Sequence, residues 1–253
     1  MFEILSKILC REVAMKKIDF HSHIIHGIDD GAQNVKVALD MLKDSFYQGA
    51  DIIVATPHFK GSNTDIKEFI NRRNFNFKEL MQKAKETSSQ IPYVYLGAEV
   101  AICPGVSKFE DLNSLCIEGT NCILLEMPNS YWYDAIFDEI YKIIVKRGLT
   151  PIIAHVDRYH PKKTGVEQYY KLFAMDVVLQ INASGFCSFF SRKKITKLIR
   201  NNIEHRFVIG SDCHDLRYRK NYFKKAYNQI KRCFGKEFLN EVFLLSEKIL
   251  QKK

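Results

Sequence analysis

The sequence predicts an α/β fold in which parallel strands alternate with helices around one sheet or closed barrel, and three observations predict it. Seven short β-type runs recur along the 253 residues, at 17–22, 51–56, 93–98, 121–126, 150–155, 176–182 and 206–211. Several of them, such as DIIVAT, CILLE and PIIAH, are largely apolar and β-branched, as strands buried on both faces should be. Helical patterns fill the gaps between them, and strand and helix in alternation favour parallel pairing.

Taken in order, the first run leads to a helix expected over 35–48, closed by Gly49 where a C-cap glycine belongs. The second run precedes a helix at 65–88, and the third and fourth precede one at 131–146, closed by Gly148. The fifth and sixth lead to a helix at 192–201, after which the seventh run completes the series. Seven units fall one short of a standard eight-stranded barrel, so an open doubly wound sheet is also compatible with the pattern. No GxGxxG and no Walker-type phosphate loop follows any run, which removes the usual reason to prefer the open sheet.

A hydrophobic content of 46% provides for one substantial core, and 26% charged residues is ordinary for a globular chain. No stretch approaches the ~20 apolar residues that span a bilayer, so no transmembrane segment is expected. Residues 1–16 are read as an N-terminal extension to one folded unit over 17–253. Glu3, Lys7, Arg11 and Glu12 break the extension too often for a signal peptide. It is a plain tail, a short amphipathic helix, an adaptor, or a stretch upstream of a second start at Met15. Seven cysteines without a CxxC pair read as reduced thiols, which points to the cytoplasm. The net charge of +9 is concentrated in residues 192–253, with 17 Lys and Arg against 6 Asp and Glu. Such a flank suits nucleic acid, anionic lipid or a phosphorylated substrate, or is simply a set of solvated helix faces.

Position along the chain carries the chemistry. His21 and His23 end the first run, His58 follows the second, Glu99 ends the third, Glu126 the fourth and His155 the fifth. Asp212 and His214 follow the seventh, and Asp30 comes shortly after the first. In a parallel barrel these positions meet on one face, where active sites of that architecture are built. Imidazole and carboxylate suit Zn, Mn or Fe. Any one of these histidines could be a core residue bonded to backbone. Together, five imidazoles and four carboxylates at one spot without cations would face a large desolvation penalty. Arg158 and Arg219 fall in loops on the same face, where guanidinium groups bind phosphate or form surface ion pairs. Asn182 ends the sixth run and either touches substrate or caps backbone. Tyr131, Trp132 and Tyr159 either stack on a substrate ring or pack the loops. Cys213 and Arg219 spell a C-x5-R, as in cysteine-dependent phosphatases, but no glycine between them lets backbone amides wrap a phosphate.

The motifs IDFHSHIIHGIDDGA, VATPH, GAE, LLEMP, IAHVDR and GSDCH resemble those of the PHP (polymerase and histidinol phosphatase) superfamily. The likeness runs from Lys17 to the C-terminus. GIDDGA after HxH is similar to the bacterial tyrosine-protein phosphatase branch linked to capsule and exopolysaccharide synthesis. The resemblance implies a distorted, TIM-like (β/α)7 barrel of PHP type holding three divalent metal ions, typically manganese, with Zn, Fe or Mg as alternatives. One ion would take His21, His23, Glu99 and Asp212. A second would take Glu99, Glu126 and His155, and a third Asp30, His58 and His214. Arg158 and Arg219 would bind phosphate, with Asp30 or His214 protonating the leaving group. The family's usual AHPER reads AHVDR here, which leaves the pose of Arg158 open. The implied activity is hydrolysis of phosphotyrosine on a protein, the tyrosine-rich tail of a bacterial tyrosine kinase of polysaccharide export. A histidinol-phosphate type of small-molecule phosphatase, a metal-dependent nuclease and an inactive module that docks a kinase are the alternatives, and nucleic acid is disfavoured as a partner.

Overall fold

A computed structural model of the chain describes residues 15–61, 65–202, 204 and 206–251, so the extension expected over 1–16 lies almost wholly outside the described residues. Nine strands follow in chain order: β1 (Ile18–Ser22), β2 (Ile52–Ala55), β3 (His58–Phe59), β4 (Tyr93–Leu96), β5 (Glu99–Ala101), β6 (Cys122–Glu126), β7 (Thr150–Ile153), β8 (Val178–Asn182) and β9 (Arg206–Gly210). The helices are α1 (Val35–Tyr47), α2 (Ile66–Glu86), α3 (Asp134–Arg147), α4 (Pro161–Thr164), α5 (Val166–Phe173), α6 (Phe189–Asn201) and α7 (Phe223–Gln251). All seven expected runs are strands, and α4, α5 and α7 come in addition to the helices read from the sequence.

Every strand pair is parallel. The ladders fall into two sheets, β1-β2-β4 and β3-β5-β6-β7-β8-β9. The division has a local cause. The second run breaks at Thr56–Pro57, where proline has no N–H to offer a ladder, and resumes as β3. The third breaks at Gly97–Ala98 and resumes as β5. Two staves thus begin in one sheet and end in the other. Across the remaining seam, Ser22 bridges Cys213, His23 N–H donates to the Cys213 carbonyl at 3.0 Å, and Asp212 N–H to that of His21 at 2.7 Å. The outcome is a seven-stave, distorted TIM-like ring, as the sequence predicts.

Inside the ring, Ile18, Phe20, Val54, Leu124, Ile152, Val178 and Val208 form one apolar cluster. Ile249 of α7 joins it, and Leu245 and Leu250 pack against it, at the end of the ring opposite the strand C-termini. The outward-facing Ile123, Leu125, Ile153, Leu179 and Ile209 meet the helices in a separate cluster. Helix α1 starts where the Asn34 side chain accepts from Val37 N–H, and α3 stops at Gly148, whose φ of 64° is the left-handed cap that glycine adopts freely. Helix α7 is bent at Gly235, with φ 90° and ψ 172°. No helix among the described residues is long and apolar enough to cross a membrane.

Candidate metal centre

The two histidines of β1 reach the mouth through a register irregularity. Asp19 pairs with Ile53 but Ser22 pairs with Ala55, so three residues of β1 stand against two of β2. A bulge of this kind re-aims side chains. Phe20 stays in the inner cluster while His21 and His23 both turn into the mouth, and Asp19 points away to accept from Ser211 N–H at 2.7 Å.

There the nine residues singled out from the sequence come together. Glu99 is central and buried. Its Oε2 lies 3.1 Å from His21 Nε2, 3.3 Å from His23 Nε2 and 2.9 Å from His58 Nδ1, and its Oε1 lies 2.9 Å from His155 Nε2. Asp212 Oδ1 stands 3.5 Å from His21 Nε2, 3.3 Å from His23 Nε2 and 3.5 Å from His214 Nδ1. Glu126 approaches His155 at 3.7 Å and His58 at 3.9 Å. At the rim, Asp30 Oδ1 lies 3.5 Å from the Nε2 atoms of both His58 and His214. Among the described residues, four triads have ligand atoms within 4.8 Å of one another: His21, His23 and Asp212; His23, His58 and His214; His58, Glu99 and Glu126; and Asp29, Asp30 and His58.

One placement differs from the strand-end reading: Glu99 opens β5 instead of ending the third run, because of the break at Gly97, whereas His58 follows the second run as expected and opens β3 after the break at Pro57. Asp212 and His214 follow the seventh run, as expected, just past the end of β9. Asp212 has φ 52°, and His155 has φ 34°; both are in the left-handed region that costs an L-residue about 1–3 kcal/mol. Each is held there by neighbours: Asp212 N–H donates to the His21 carbonyl, and His155 N–H to Gln180 Oε1 at 2.7 Å.

The charge balance fits a cation cluster. Burial works against ionisation of Glu99, yet His21, His155 and His23 outweigh it and hold the carboxyl well below its usual range. Asp212 behaves alike, with burial opposed by His21, His23 and Arg158. Burial likewise opposes protonation of His21 and His23, but the carboxylates raise both. Even so, Glu99 Oε2, His155 Nδ1, Asp212 Oδ1 and His214 Nε2 are buried without a hydrogen-bond partner. Buried polar atoms are almost always satisfied, and carboxylate oxygens and imidazole nitrogens converging on one spot suit divalent cations.

Several supporting residues had no signal in the sequence. Asp29, beside the expected Asp30, accepts from His23 Nδ1 at 2.6 Å, His58 N–H at 2.8 Å and Gly31 N–H at 2.9 Å. Gln180 faces His21 Nδ1 at 3.0 Å as well as His155 N–H. Imidazole ligands are commonly fixed through their second nitrogen in this way; only the alternation of β8 hinted that Gln180 faces inward. Asn182 donates to Asp212 Oδ2 at 3.0 Å and accepts from Gln180 at 2.9 Å, so it braces the site. Arg158 pairs with Asp212 Oδ2, and Arg219 reaches Asp30 at 3.0 Å and Asp212 at 3.5 Å. The Arg158 loop is tied down by Asp157, whose carboxylate accepts from Asn182 N–H at 2.9 Å.

Trp132 and Tyr159 are buried and stack edge to face, with the Tyr159 hydroxyl bonded to Met127, so they pack the loops. Tyr131 is exposed. Cys213 points away from the mouth into the cluster of Ile24, Leu39 and Met41, and burial pushes its thiol up, the opposite of what a nucleophile needs. Cys213→Ser is therefore expected to leave phosphate-ester turnover largely intact while lowering the melting temperature, as a paired turnover and melting measurement would show.

Known proteins share this arrangement of sequence and fold. The tyrosine-protein phosphatase CpsB of Streptococcus agalactiae is 28% identical over 233 residues, covering 90% of this chain and 95% of that protein. The tyrosine-protein phosphatase YwqE of Bacillus subtilis is 25% identical over 230 residues, covering 87% and 86%. A solved structure from work on YwqE of B. subtilis and CpsB of Streptococcus pneumoniae, described as unique metal-dependent tyrosine phosphatases, superimposes with a TM-score of 0.77 at 22% identity, over 93% of this chain and 95% of that one. Residues 17–251 match the model of the capsular polysaccharide synthesis family, CpsB/CapC, and the chain belongs to that family.

Proposed function

We propose that the chain is a metal-dependent protein-tyrosine phosphatase. The observation that carries the reading is the convergence of five imidazoles and four carboxylates, four of whose buried polar atoms lack a partner, beside two arginines. Family membership and the names of the relatives support the substrate class.

His21, His23, Glu99 and Asp212 would hold one divalent ion, Glu99, Glu126 and His155 a second, and Asp30, His58 and His214 a third. Manganese is the expected metal. When bound, such ions activate water and neutralise phosphoryl charge. Arg158 and Arg219, held at the mouth by Asp212 and Asp30, bind the non-bridging phosphoryl oxygens. Asp29 and Gln180 keep the His23 and His21 rings oriented through their Nδ1 atoms. A tyrosine leaving group, with a pKa of about 10, needs less protonation than an alkoxide; Asp30, exposed at the rim, is the group placed to supply it, whereas His214 is buried with Nδ1 on the Asp212 carbonyl. The natural substrate is then a phosphotyrosine tail of a bacterial tyrosine kinase in polysaccharide export, met in the cytoplasm, where the free described cysteines stay reduced.

Chelation tests the reading. Stripping divalent ions is expected to abolish turnover of a phosphotyrosyl peptide, and re-adding Mn, Zn, Fe or Mg one at a time to restore it with the best ion. Binding at 100 times Kd would also add about 2.7 kcal/mol of stability per site, read as a rise in melting temperature. Undiminished turnover in the stripped protein would refute metal dependence. Faster turnover of histidinol phosphate or single-stranded DNA, assayed alongside, would refute the substrate class.

A further inference from the structure

The basic excess of the C-terminal quarter has a focus. Arg192, Lys193, Lys197 and Arg200 of α6 line an open groove of about 320 Å3, with Phe189 at one end and Cys233 of α7 along its side, and no Asp or Glu among its lining residues. Among the described residues none of these four cations forms an ion pair. Two are held in place by rings, Arg192 over Phe189 at 5.8 Å and Arg200 over Phe234 at 5.9 Å. Lys193 and Lys197 stand four residues apart on the helix, where like charges repel. Four cations without acidic neighbours along one groove make a face complementary to an anionic segment.

The groove begins on the side of the ring that carries the mouth. Helix α6 begins seven residues after Asn182 ends β8, on the strand C-terminal face. Lys194 of the same helix donates to the Asp157 carbonyl at 2.8 Å, one residue from Arg158. Phe189 and Phe190 stand 65% and 83% exposed at the end nearest the mouth. From Arg192 to Arg200 the helix rises about 12 Å, the length of about four residues of extended polypeptide. A cleft of this length beside one helix suits a strand-like segment better than a bilayer or a duplex, which call for a broad face.

We propose that this groove is a second substrate site, which takes an acidic segment, rich in Asp, Glu or further phosphates, flanking the phosphotyrosine on the same polypeptide. The proposal rests on the phosphatase reading above and names the class of protein that it acts on. An exposed ion pair gives roughly a two- to fivefold gain, so three such pairs give the acidic flank about a tenfold advantage, and one that fades with salt.

The test uses the metal-loaded enzyme and a triple variant, Lys193→Ser with Lys197→Ser and Arg200→Ser, whose side chains touch no part of the mouth. Two phosphotyrosyl peptides, one with an Asp/Glu-rich flank and one with a Ser/Gly flank, are compared with a small aryl phosphate. Wild type is expected to favour the acidic peptide about tenfold in kcat/KM, through KM. The variant is expected to lose that preference with aryl phosphate turnover unchanged. Equal preference in both proteins would overturn the proposal. So would a variant that keeps the preference but loses binding to phosphatidylserine vesicles or single-stranded DNA, since the groove would then serve those partners. Anisotropy of a labelled, unphosphorylated acidic peptide decides the groove separately. Binding in wild type and not in the variant sustains the acidic site even if no phosphotyrosyl peptide is turned over, a result that would refute the phosphatase reading alone.

Discussion

Glu99→Gln is expected to lower kcat/KM by about 10³-fold or more, about 4 kcal/mol of transition-state stabilisation, and to empty more than one metal position. The reason is its centrality. One carboxylate meets His21, His23 and His58 through one oxygen and His155 through the other, all between 2.9 and 3.3 Å. An amide in its place removes the charge and turns two N–H donors toward imidazoles that would need to accept. Loss of an outer support around a metal typically costs 10–100-fold, and a side chain shared by two proposed sites should exceed that. Elemental analysis of the purified variant beside a peptide assay checks both parts. If Glu99→Gln retained full metal content and rate, the centre would be held by other residues.

Gly210→Ala is expected to damage the site without touching any proposed ligand. A Cβ there would lie 2.5 Å from His21 Cβ and 2.7 Å from Gln180 Nε2, closer than side chains pack. Overpacking of this kind costs about 1–3 kcal/mol, or roughly 3–10 °C in melting temperature for a chain this size. The larger effect is functional. Gln180 contacts the His21 ring and holds the backbone of His155, so displacing it disturbs residues of two proposed sites at once. A fall of about 10²- to 10⁴-fold in turnover follows from two lost supports, measurable at a temperature where the variant is still folded. Wild-type turnover and stability in Gly210→Ala would show that the β9 end is not so tightly packed against β1.

Much of this site was legible because a parallel barrel converts sequence position into place: a residue just past a strand end arrives at the mouth. His21, His23, His58, Glu126 and His155 could all be located by that rule. What stayed hidden depended on departures from regular strands. The breaks at Pro57 and Gly97 give Glu99 a strand of its own. The bulge in β1 and the left-handed backbone at His155 and Asp212 set directions that periodicity cannot report. Asp29 was passed over for its neighbour because two adjacent aspartates look alike until one is seen to hold His23 and the other to face the rim. The helical pattern of α6 was plain, whereas its groove against α7 required the packing of two segments about thirty residues apart.

The apolar plug beneath the centre, sealed by Leu245, Ile249 and Leu250, closes one end of the ring. A vessel stoppered at its base has a single doorway. Whatever reaches the centre by the mouth leaves by the mouth, so arrival and departure are consecutive events at one threshold.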